Sequence, residues 1–283
     1  MRTHPFRFGV VAGHDLHPDA WGELGRRVEG LGFDTLLVPG PAGPLGASGI
    51  PDVASSGTVS ASGAVASFGG LGAVAAATTT LRVGTYVVDA PSWTPERVAR
   101  AAAGLCALSG GRFELGLGAA PPTTVDTPAD RPTTADQPTT GDTPADQLKR
   151  LTRTVDAVRA LPGADGVPVL IAVSCSGLLK VAAEKADTVA LQVPPWCPEE
   201  RVAAMLDELY ELAGDRYDRL ELHLSLAAVG ASPYQGAGVL TGTVDQMAGV
   251  LLERRDKLGI SYVSVNAQAM ENFAPVVAML SGT

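Results

Sequence analysis

Aromatic residues make up only 5% of this 283-residue chain, so its core cannot be built around stacked rings and must be filled by small aliphatic side chains. Cysteine is scarce too: Cys106, Cys175 and Cys197 are odd in number, far apart and without CxxC spacing. That excludes a disulfide framework and argues against a zinc site. Basic residues are outnumbered 21 to 30, giving a net charge of −9, and they form no cluster. Nucleic acid and anionic membrane surfaces are therefore not expected as partners. No apolar run reaches the roughly 18 residues that a spanning helix needs, and MRTHPFRFGVVAG has no continuous apolar export segment. A soluble, cytoplasmic protein is the expectation. GxSxG, HExxH and P-loop patterns are missing as well, which weakens hydrolase and nucleotidase readings.

What the chain does have is a 46% hydrophobic fraction arranged in alternating periods. Short apolar runs at residues 6–12, 34–40, 81–88, 112–118, 167–173, 187–193, 220–229 and 260–266 read as strands. Many are apolar almost throughout, as strands buried on both faces are. Between them lie segments with helical spacing, such as Trp21, Leu24, Val28 and Leu31. Residues 60–77 are read as a helix despite their glycines, each of which costs roughly 1 kcal/mol relative to alanine. Eight strands, each followed by a helix, predict an α/β fold with a parallel sheet, and eight units favour a single (β/α)8 TIM barrel over an open doubly wound sheet.

One stretch interrupts this order. PTTVDTPADRPTTADQPTTGDTPAD, residues 122–146, repeats DTPAD twice and resembles a domain linker. Four β/α units precede it and four follow, and half a barrel is not a stable domain. The reading is therefore one domain over 1–283, with a low-complexity, poorly packed loop at 121–146 after the fourth strand.

A barrel of this kind keeps its chemistry in the loops that follow the strands. GLGAA at 116–120 and SCSG at 174–177 have the composition of a cofactor cradle, the second with backbone N–H groups suited to a phosphate at a helix N-terminus. Ordinary small-residue turns and a serine N-cap explain the same letters equally well. HDLHPD carries His14, Asp15, His17 and Asp19 in the first loop. No third ligand cluster accompanies them, so no metal is expected; His14 or Asp15 is a candidate general acid/base by position. His223 lies within a strand and reads as a satisfied barrel histidine. Cys175 lacks an evident basic partner, so a nucleophilic role for it is a minor reading.

Five stretches together resemble the bacterial luciferase-like monooxygenases, especially their branch using the deazaflavin coenzyme F420. They are WGELGRRVEGLGFDTLLVPG, AAATTTLRVGTYVVDAPSWTPERVARAAAGLCALSGGRFELGLGAA, VPVLIAVSCSGLLKVAAEKADTV, GVLTGTVDQMAGVLLERRDKLGISYVSV and ENFAPVVAMLSG. The resemblance implies a luciferase-like TIM barrel binding a flavin or deazaflavin at the strand C-termini. It implies a non-proline cis peptide at Tyr86–Val87 behind the ring, with Val88 and Asp89 beyond it. It sets Gly116, Gly118 and Ala119 beside the cofactor, and gives the phosphate to Ser174, Cys175, Ser176 and Gly177.

Strand two departs from that pattern. It ends VPGP, with Gly40 and Pro41 where relatives carry an Asp-His or similar pair beside the reactive ring. Gly40 then lines the cofactor, and His14 or Asp15 stands in as proton donor. The implied activity is hydride transfer from reduced F420 to an electron-poor C=C or C=N, as in tailoring a natural product or modified peptide, for example reducing a dehydroamino acid. An FMN-dependent monooxygenase is the alternative, and a vestigial cofactor-binding subunit is a third. A homodimer acting on a small-molecule or peptide substrate is implied as well.

Overall fold

The computed structural model describes residues 4–13, 16–39, 61–89, 93–119 and 143–283. Eight barrel strands are present: β1 (Arg7–Val11), β2 (Thr35–Val38), β3 (Arg82–Thr85), β4 (Phe113–Gly118), β5 (Val169–Val173), β6 (Thr188–Leu191), β7 (Glu221–Leu226) and β8 (Ile260–Asn266). Helices α1 (Trp21–Gly30), α2 (Ala61–Ala77), α3 (Pro95–Ser109), α4 (Pro144–Ala160), α5 (Ser176–Lys185), α6 (Glu199–Ala213), α7 (Val244–Leu258) and α8 (Met270–Leu280) alternate with them. Every strand pair is parallel, and the ring runs from β3 through β2, β1, β8, β7, β6 and β5 to β4. Pairing of Val83 with Phe113 and Gly84 with Glu114 closes it. The chain forms a closed, parallel (β/α)8 barrel.

Period-two alternation splits each strand between two environments. Phe8 and Val10 join the large core beneath the helices, whereas Val11, Leu37, Tyr86, Leu170, Ala172, Ala190 and Tyr262 fill the barrel interior. Helix boundaries follow from local chemistry. Pro95 opens α3 and Gly110, at φ 65°, ends it. Thr243 and Gln246 form a capping box on α7. Thr143 and Asp146 do the same for α4, so the last DTPAD unit is a helix start and the expected loop to residue 146 ends earlier. A proline at the first helical position favours this outcome, because the N–H it lacks has no helical partner there anyway. Residues 120–142, the rest of the repeat tract, lie outside the described residues.

The same hydrogen-bonded clasp occurs twice at the N-terminal ends of the strands. Asp34 donates its N–H to Phe8 O at 2.8 Å, while its Oδ2 accepts from Phe8 N at 2.7 Å. Asp187 donates to Val169 O at 2.8 Å, and its Oδ2 accepts from Val169 N at 2.8 Å. Each aspartate carbonyl then accepts from the following strand, from Arg82 N at 2.9 Å and from Glu221 N at 3.0 Å.

Candidate cofactor site at the barrel mouth

At the C-terminal end of β3 the chain bends through a cis peptide at Tyr86–Val87, where the resemblance implied one. The bend divides its residues sharply. The Tyr86 side chain turns into the barrel, 3% exposed, with its ring 5.2 Å from that of His223 and its hydroxyl accepting from Gln192 Nε2 at 2.8 Å. Burial pushes its phenol above the ordinary value. Val88 is fully buried under the helices and pairs with Leu117. Alternation turns its side chain away from the mouth, which differs from a side chain lining the cofactor. Val87 is the half-exposed side chain left at the bend. Of Asp89 the structure describes the backbone, which pairs with Gly118.

Gly116 and Gly118 also differ from the expected open turn. Both are buried residues of β4, and Ala119 beyond them is half-buried. A Cβ on Gly116 would lie 1.9 Å from Thr85 O, and one on Gly118 would lie 2.6 Å from Val87 Cγ2. Their missing side chains admit the β3 bend against β4. They thereby position Val87.

At the end of β5, Ser174, Cys175 and Ser176 are exposed and Gly177 is half-buried. Cys175 is the N-cap of α5 and provides no side-chain cap. Among the described residues no acceptor meets the N–H groups of Ser176 and Gly177. The first turn of α5 thus offers free donors at the positive end of a helix dipole, as an anion site requires. The Ser176 hydroxyl is engaged elsewhere, donating to Glu208 Oε2 of α6 at 3.3 Å. His14, Asp15 and Gly40 lie outside the described residues. His17 and Asp19 point to solvent, 77% and 92% exposed, and pair with each other at 3.3 Å.

Below the mouth the barrel is plugged. His223 Nε2 lies 2.9 Å from Ser264 Oγ, but Nδ1 meets no partner among the described residues, so the histidine is half satisfied. Burial and the Arg7 charge hold it down at about 3, which keeps it neutral. Tyr262 lies against His223 with ring centroids 4.4 Å apart and donates to Glu114 Oε1 at 3.1 Å. Arg7 stacks on Tyr262 and pairs with Glu114 and with Glu221, the latter at 2.7 Å. Burial raises Glu221 above the usual carboxylate range, although Arg7 opposes it. A cavity of about 620 Å³ opens at this N-terminal end, lined among others by Arg7, Asp34, Arg82, Arg112 and Glu221. Its charges are largely committed: Arg7 to the two glutamates, Asp34 to its clasp, Arg112 to Ala75 O, Thr78 O and Leu81 O. The cavity is a structural seam, at the opposite end from the free α5 donors.

The sequence matches the luciferase-like monooxygenase family over residues 3–233. The chain belongs to that family. Among curated protein sequences no match is found. Solved structures similar to this family member include the coenzyme F420-dependent tetrahydromethanopterin reductase from Methanopyrus kandleri, at 14% identity and TM-score 0.68, covering 98% of this chain and 100% of that one. The monooxygenase RslO1 from Streptomyces bottropensis gives 18% identity and TM-score 0.66, covering 96% and 99%. A riboflavin lyase, RcaE, solved with modified FMN and riboflavin, gives 13% and 0.69, covering 98% and 91%. At these identities the likeness extends to the fold.

This luciferase-like chain has its important polar positions at sites that the sequence reading passed over. Gln192, Glu208 and the Arg7–Glu114–Glu221 group were not singled out. For the last group a signal existed, since charged residues interrupt three otherwise apolar strands. Among the described residues no group of three His, Cys, Asp or Glu could hold a metal, and no helix is long and apolar enough to cross a membrane.

Proposed function

We propose that this luciferase-like oxidoreductase holds a flavin-type cofactor across the barrel mouth and reduces an electron-poor C=C or C=N with a hydride from reduced F420. The observation that carries this reading is the pairing of two features at one mouth: an apolar shelf, Val87, fixed by Gly116 and Gly118, and free N–H donors on the first turn of α5. The residues present fit the group, with Ser176 N–H and Gly177 N–H to hold its phosphate and Val87 to back its ring. When bound, the cofactor supplies the hydride.

The chain must supply water exclusion, orientation and a proton. Segments 174–177, 192–198, 227–243 and 266–270, which follow β5 to β8, contain no Asp, Glu, Lys, Arg or His. We assign the proton donor to the loop after β1, where His14 and Asp15 are the candidates by position. It protonates the atom adjacent to the carbon that receives hydride. A natural product or modified peptide is the proposed substrate class.

One observation favours the second reading, an FMN-dependent monooxygenase. F420 continues past its phosphate into an acidic tail, whereas FMN ends there, and the loops after β5 to β8 carry no cation. Titrating the purified protein with F420 and with FMN, followed by fluorescence, tests both. F420 binding at micromolar concentration is expected; FMN binding alone moves the assignment to the oxygenase, and binding of neither overturns both.

A further inference from the structure

The segments that follow β5 to β8, at residues 174–177, 192–198, 227–243 and 266–270, carry no formal charge in a chain that is 18% charged. Two aromatic side chains stand on them. Trp196, after β6, is 55% exposed, and Tyr234, after β7, is 65% exposed. Among the described residues the other exposed large apolar side chains, Leu108, Tyr210, Leu212 and Met279, lie on helices α3, α6 and α8. Neither Trp196 nor Tyr234 has a ring partner among the described residues, whereas Tyr210 packs edge-on against Tyr217 at 5.2 Å.

The loops that present them are tied backbone to backbone. Ala237 donates to Cys197 O at 2.8 Å and Gly238 to Pro195 O at 3.0 Å, while Cys197 closes its own turn on Pro194 O at 2.8 Å. A Cβ on Gly236 would lie 2.6 Å from Trp196 Cα, and one on Gly238 would lie 2.7 Å from Pro195 Cα. Val239 and Leu240 then pair with Ala228 and Val229. Exposed rings on a fixed support lose little entropy when they are covered, which is the economy of a binding surface.

Resting on the cofactor reading above, we propose that the loops after β6 and β7 form the substrate side of the site and select an uncharged, planar organic molecule through Trp196 and Tyr234. An anion held between these loops would meet no counter-ion from them, and so would lose its hydration without compensation.

The test is calorimetric titration of the protein, with and without F420 or FMN, using 2-naphthalenemethanol and 2-naphthoate as a matched neutral and anionic pair. The alcohol is expected to bind at least about tenfold more tightly than the carboxylate. Trp196→Ala and Tyr234→Ala should each weaken the alcohol about three- to tenfold, Trp196→Phe should recover most of the loss, and cofactor affinity should stay within about twofold. Equal binding of the two probes, or wild-type binding by Trp196→Ala, overturns the proposal. So does loss of a dimer in sedimentation by Trp196→Ala with unchanged probe affinity, since the rings would then cover a second copy. If no cofactor binds while the probes still discriminate, the cofactor reading fails and the neutral wall stands.

Discussion

Glu208 holds the Ser176 hydroxyl at 3.3 Å and so brings a carboxylate to the helix end offered for a phosphate. Like charges repel across such distances even when partly screened. Glu208→Gln keeps the hydrogen bond and removes the charge, so it should tighten binding of the phosphate-bearing cofactor by about two- to tenfold, read as a lower Kd by fluorescence titration. Unchanged affinity would mean that the phosphate lies away from α5. At this scale the sequence was least informative. Ser174–Gly177 could be placed at a helix start by composition, but the direction of the Ser176 hydroxyl depends on α6, 32 residues away. Val88 and Val87 are the same residue type side by side, and the bend alone decides that one is buried and the other open.

Between elements, Glu29 is the clearest joint. It belongs to α1, yet its Oε1 accepts from Thr79 N at 2.9 Å, Thr80 N at 2.6 Å and Leu81 N at 2.9 Å, the turn that leads from α2 into β3. Burial is the largest single influence and works against its charge, but these donors together outweigh it, drawing Glu29 down to about 2. A lowered carboxylate pKa contributes stability that is complete above the unfolded value and is lost as pH falls toward the folded one. Glu29→Gln should therefore cost roughly 1–2 kcal/mol at neutral pH by denaturant melts. The gap to wild type should narrow between about pH 4.5 and 2; a gap independent of pH would refute the assignment. Elements themselves were legible, because period and caps are local: all eight barrel strands fall within the expected segments, and α4 begins inside the loop expected to run to residue 146. The glycine-rich α2 is explained by packing, since a Cβ on Gly70 would lie 2.6 Å from Trp21 Cε2. Close approach to α1 offsets the glycine cost. The interior plug was not legible, because it joins Arg7, Glu114, Glu221 and Tyr262 across four strands.

For the whole molecule, counting β/α units gave the barrel, and pairing of β4 with β5 across the repeat tract realises it. The lack of charge in the segments after β5 to β8 was also readable in the letters once those segments were assigned to strand ends. The two clasps were not, because an aspartate before a strand is common and only its partner reveals the device. Asp34→Ala and Asp187→Ala should each lose about 1–3 kcal/mol in chemical denaturation, and the double variant should lose the sum, since the sites sit on opposite sides of the ring. A silent single variant would show the two to be unequal. The clasps join β1 to β2 and β5 to β6, half a circuit apart, and in each an Asp-Thr pair opens the second strand. Thr35 accepts from Arg7, and Thr188 donates to Glu221, so both threonines serve the same plug. One clasp thus recurs on opposite sides of the ring, and through its threonine each copy braces the same buried plug.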